Sequence, residues 1–147
     1  MTQTPVKTLY DRDFNLWIEE TITQLKAKNT EKLDWENLIE EIEALGKRDK
    51  RELENRLTTL FEHALKYRYV ALPDCYSGWE ITLKRTQKEL KKILRDSPSL
   101  KNYFLAIAED CYQDAVDNSM GEYEVKFPET CPFSREIKTL LTEKFWQ

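Results

Sequence analysis

Glu36, Glu40 and Glu43 recur at i, i+4 and i+7, so a helix through them stacks three carboxylates along one side. Stacked carboxylates are the raw material of a two-metal site in a helical bundle. That chemistry also needs Glu-x-x-His turns, and the residue three before His63, the single histidine, is Leu60. The spacing therefore predicts a solvated acidic flank or one half of an ion-pair set between helices, with neither metal nor cofactor.

Asp49, Arg56 and His63 are each seven residues apart and fall along one edge of an otherwise apolar helical stripe. An acid, a guanidinium and an imidazole on one edge could shuttle a proton, and an enzyme built on them is the third functional reading of the chain. No nucleophile signature and no glycine-rich phosphate loop accompanies them. The simpler expectation is that Arg56 lies along apolar surface and pairs with an acid.

Lys84, Lys88, Lys91 and Arg95 project on the side of their helix opposite Trp79, Leu83 and Leu90. This basic face is predicted to be in solvent, where it suits an acidic protein or a phosphate backbone. It carries no aromatic side chains for base stacking, so any nucleic-acid contact through it is expected to be unspecific and salt-sensitive. Cys75, Cys111 and Cys131 are scattered, odd in number and without a C-x-x-C spacing, which predicts reduced thiols. Cys111 falls in phase with a core face, and Cys131, in a loop, is the thiol expected to be most exposed.

The elements that must position these groups are helical. The chain holds three glycines and five prolines, and its hydrophobic fraction of 40% is enough for one domain with a core. From Asp34 to Lys66 apolar residues recur every three or four positions: Trp35, Leu38, Ile42, Leu45, then Leu53, Leu57, Leu60 and Ala64. Asp34 caps this long helix, a kink is allowed at Gly46, and Glu43–Lys47, Glu52–Arg56 and Glu62–Lys66 are acid-before-base pairs along it. After a loose start, a first helix capped by Asp11 or Asp13 runs to about Asn29 and forms a hairpin with the long one.

A third helix is expected from Gly78 to Asp96 after a loop ending in a Ser77 cap. Ser97-Pro98 restarts a fourth, which should end near Met120 with Gly121 in the left-handed conformation. EYEVKFPETCPF reads as an ordered loop held by Phe127 and Phe133. Ser134 then caps a short last helix, and Phe145-Trp146 folds back onto the body. The prediction is an all-α, single-domain bundle of about five helices around the Asp34–Lys66 spine.

YDRDFNLWIEET, LDWENLIEEIEALG, DSPSL, FPETCPF and the closing FW together resemble a largely bacterial, cyanobacteria-rich family known as domain of unknown function 29. The resemblance covers nearly the whole chain, and LDWENLIEEIEALG is its most specific piece. It implies an all-α fold in the bacterial cytosol and transfers no catalytic residues.

A net charge of -4 argues against a generic nucleic-acid binder, and no apolar run approaches a membrane span. The N-terminus lacks a signal-peptide core, so a cytoplasmic setting is expected. The leading functional expectation is a non-enzymatic module that holds an unidentified protein partner through the acidic flank or the basic helix. Nucleic-acid association through the basic helix is the alternative, and self-association is compatible with a long amphipathic helix.

Overall fold

A computed structural model describes residues 8–147, and the loose start expected at residues 1–7 lies outside them. The described residues form six α-helices and one 3-10 turn, with no strand. They are α1 (Leu9–Arg12), α2 (Phe14–Lys26), the 3-10 turn (Thr30–Lys32), α3 (Trp35–Tyr69), α4 (Pro73–Asp96), α5 (Leu100–Glu122) and α6 (Ile137–Thr142). The fold is all-α, as the periodicity predicts. The chain divides into two compact units, Met1–Lys47 and Arg48–Gln147.

In the first unit the Asp13 carboxylate accepts from the Leu16 backbone N–H at 3.1 Å, so Asp13 caps α2. The single turn of α1 sets Tyr10 edge-on against Trp17, with ring centroids 5.0 Å apart. Its hydroxyl donates to the Glu41 carboxylate, tying α1 to α3. Trp17, Thr21 and Leu33 are the buried residues here. Asp34 opens α3 by accepting from the Asn37 backbone N–H at 3.4 Å and its side-chain amide at 2.7 Å. The helix runs uninterrupted through Gly46, whose φ is not positive.

In the second unit the rest of α3 is the spine of the core. Leu53, Leu57, Leu60, Ala64 and Leu65 are fully buried, and Phe61 nearly so, against Leu83 and Leu90 of α4 and Phe104, Tyr112 and Ala115 of α5. Phe61 stacks on Phe133 with centroids 6.2 Å apart and meets Tyr112 edge-on at 5.9 Å. The segment between α5 and α6 has no regular structure, and Phe127 and Phe133 anchor it in the core as expected. The Tyr112 hydroxyl donates to the Pro128 carbonyl within it. Trp146 is completely buried, so the aromatic terminus does fold back.

Several boundaries differ from expectation. α4 begins at Pro73, five residues before Gly78, because proline is well suited to the first helical position, where its missing N–H is not needed. Ser97 and Pro98 form a turn, their carbonyls accepting from Leu100 and Lys101, so α5 starts two residues after the proline. Gly121 stays inside α5, which ends at Glu122 with no positive-φ glycine. Ser134 Oγ accepts from the Glu136 N–H at 3.1 Å, in a turn that precedes α6.

Of the three acid-before-base pairs, Arg56–Glu52 forms, at 3.5 Å. Lys66 is instead buried and reaches Glu122 at 2.9 Å, while Glu62 accepts from Asn118 at 2.7 Å. Packing of α5 on α3 supplies better-placed partners than the next helical turn.

Candidate functional site

The apolar stripe of α3 changes character along its length. Beyond Leu53 it is core. In the first unit Trp35, Ile39, Ile42 and Leu45 are 51%, 52%, 60% and 54% exposed. Trp35, Ile39 and Ile42 stand at i, i+4 and i+7, and Glu36, Glu40 and Glu43 repeat that spacing one residue later. The result is an apolar row with a carboxylate row beside it, both open to water. None of the three glutamates is ion-paired or hydrogen-bonded among the described residues. Every residue from Ile42 to Lys47 is exposed. Ten acidic and six basic residues lie in Met1–Lys47 against seventeen of each in Arg48–Gln147, so the chain's net charge of -4 resides in the first unit.

A different surface forms in the second unit, where α4, the start of α5 and α6 enclose an open cleft of about 740 Å³. Lys88, Lys91, Lys92 and Arg95 from α4, Lys101 from α5 and Lys138 from α6 line it, with no acidic residue. Its apolar part is Leu94, Pro98, Ile137 and Leu141. Among the described residues the five lysines have no ion pair, and Arg95 leans on Asp96 at 3.7 Å.

Three of the four basic residues singled out by helical projection therefore share one cleft. Lys84 is exposed, as predicted, but is not part of the lining. Lys92, Lys101 and Lys138 were not foreseeable as neighbours, since they meet only through the packing of three helices.

Asp49 and Arg56 meet at a separate cleft of about 380 Å³, with Glu52, Glu89 and Lys92. Arg56 pairs there with Glu52 and, more closely, with Glu89 of α4, so its charge is committed. His63 does not line that cleft. It is half-buried, with Nδ1 3.0 Å from the Thr59 carbonyl oxygen, a contact that places the ring proton on Nδ1. Burial pushes its pKa below the ordinary imidazole value. The helical edge that aligns the three residues in sequence thus separates into an ion-pair cluster and a histidine bonded to its own helix.

No group of His, Cys, Asp or Glu side chains among the described residues is arranged to hold a metal ion. All three cysteines are free thiols. Cys111 is buried as expected. Cys131 is half-buried rather than exposed, its Sγ 3.9 Å from the Phe133 carbonyl, and burial pushes its thiol pKa up. No helix among the described residues is long and apolar enough to cross a membrane.

The described residues define an all-α protein with exposed, chemically distinct helical faces. The chain belongs to the family described as domain of unknown function DUF29, whose profile matches residues 9–146. No curated protein and no solved structure matches the chain.

Proposed function

We propose that this protein is a non-enzymatic interaction module of the bacterial cytosol, and that the acid-flanked apolar row at the start of α3 is where it holds a protein partner. The observation that carries this reading is the exposure of Trp35, Ile39, Ile42 and Leu45, each more than half open to water on one short helical stretch. Exposed apolar groups grouped in this way mark association surfaces. The i, i+4, i+7 spacing is that of a helix laid in a groove or beside another helix. Covering each side chain gains on the order of 1 kcal/mol. Glu36, Glu40 and Glu43 add a charge preference, so the fitting partner is an amphipathic element with cationic side chains beside aliphatic ones.

The test uses an amphipathic peptide of leucine and lysine at helical spacing, titrated onto the full chain. Ile42→Asp with Leu45→Asp should abolish binding while leaving the unfolding transition in place. Glu36→Gln with Glu40→Gln and Glu43→Gln should weaken binding and flatten its salt dependence. Undiminished binding by both variants would overturn the assignment.

A further inference from the structure

The cleft between α4 and α6 shows the complementary chemistry to the acidic row, and it does so in the same chain. Lys88, Lys92 and Arg95 line it at i, i+4 and i+7, which is also the spacing of Glu36, Glu40 and Glu43. Two helices laid side by side with these rows facing would bring opposite charges together once per turn, about every 5–6 Å. The apolar surface of the cleft is small, chiefly Pro98 and Ile137, because Leu94 and Leu141 are buried in the core, so the charge rows carry the match.

A stacked nucleobase and a bilayer surface fit less well. The cleft is lined by no aromatic ring on which a nucleobase could stack. Its concave shape does not match a planar bilayer surface.

We infer that the cationic cleft of one copy receives the acid-flanked start of α3 from a second copy. This inference rests on the interaction-module reading above and names its partner. Each copy carries both the acidic helix and the cleft, so a pair of copies holds two complementary sets of surfaces. Because the contact pairs unlike charges across a partly solvated interface, it should weaken as salt rises.

Sedimentation equilibrium of the full chain tests this at low salt and at tenfold higher salt. The expected result is a dimer that loosens with salt. Glu40→Lys with Glu43→Lys should weaken self-association roughly tenfold or more, and Lys92→Glu with Arg95→Glu should do the same. All four positions are exposed, so circular dichroism and the melting transition should be unchanged in both variants.

An equimolar mixture of the two variants should recover a one-to-one dimer, because each reversed surface then meets its opposite. A wild-type chain that stays monomeric at every concentration would overturn the inference, as would variants that dimerise like wild type. A monomeric chain whose α3 row still binds the leucine–lysine peptide removes the second copy as partner and leaves the interaction module standing. A monomer that also fails to bind the peptide removes both.

Discussion

The Gln87 side-chain amide on α4 donates to the Leu140 carbonyl at 2.8 Å and to the Glu143 carbonyl at 2.9 Å, so one buried glutamine closes the C-terminal end of α6. Those carbonyls have no partner within their own short helix. The same bonds fix α6 against α4, and with it Lys138 across the cleft from Lys91 and Arg95.

Gln87→Leu keeps the volume and removes both bonds, leaving two carbonyls unpaired beside the core. A loss of about 1–3 kcal/mol is expected. Thermal unfolding should show it as a lower Tm, and hydrogen exchange should speed up in Ile137–Thr142 before the rest of the chain.

Ile42→Ala and Leu57→Ala remove aliphatic groups from the same stripe of α3 and should behave in opposite ways. Leu57 is fully buried, and its truncation should cost about 2–5 kcal/mol in chemical denaturation. Ile42 is 60% exposed, and its truncation should stay within about 0.5 kcal/mol in dilute solution.

The Lys66 ammonium, donating to the Glu122 carboxylate at 2.9 Å, holds that carboxyl below its ordinary value of 4.5. A depressed carboxyl contributes stability that is complete above pH 4.5 and is lost as pH falls through the folded value. Glu122 is half exposed, so solvent limits the pair to about 1 kcal/mol. Glu122→Gln should therefore be less stable than wild type at neutral pH, with the gap closing in acid. Urea unfolding across that range checks it.

His63 gives a second pH signature. Burial lowers its pKa below 6.5 in the folded chain, so the unfolded chain binds the proton more readily. Its contribution is complete above pH 6.5 and is lost as pH falls from there toward the folded value. His63→Gln should flatten the stability profile over that interval, seen in denaturation midpoints measured at successive pH values.

Much of the architecture was legible because one signal, the three-to-four spacing of apolar residues, is local. It located α3 to within a few residues, put Trp79, Leu83 and Leu90 on the buried side of α4, and kept Lys84, Lys88, Lys91 and Arg95 in water. The Asp13 and Asp34 caps were legible for the same reason. Helix starts near Pro73 and Pro98 were harder, since proline is compatible with a loop, a turn or a first helical turn.

What periodicity could not reveal is which part of a stripe finds a partner. Trp35, Ile39, Ile42 and Leu45 carry the same signal as Leu53, Leu57 and Leu60, yet the second set is enclosed by α4 and α5 while the first faces water. The cleft was hidden likewise, because Lys101 and Lys138 join Lys91 only through packing between distant segments.

Trp35 offers the most direct test of the α3 row as a docking surface. Trp17, Trp79 and Trp146 are 6%, 9% and 0% exposed against 51% for Trp35, so acrylamide quenching of tryptophan emission in dilute protein should report chiefly on Trp35. On titration with the leucine–lysine peptide, quenching should fall and the emission should shift to shorter wavelength, and Trp35→Phe should show neither change. Peptide binding that leaves Trp35 as accessible as in the free chain would contradict the account.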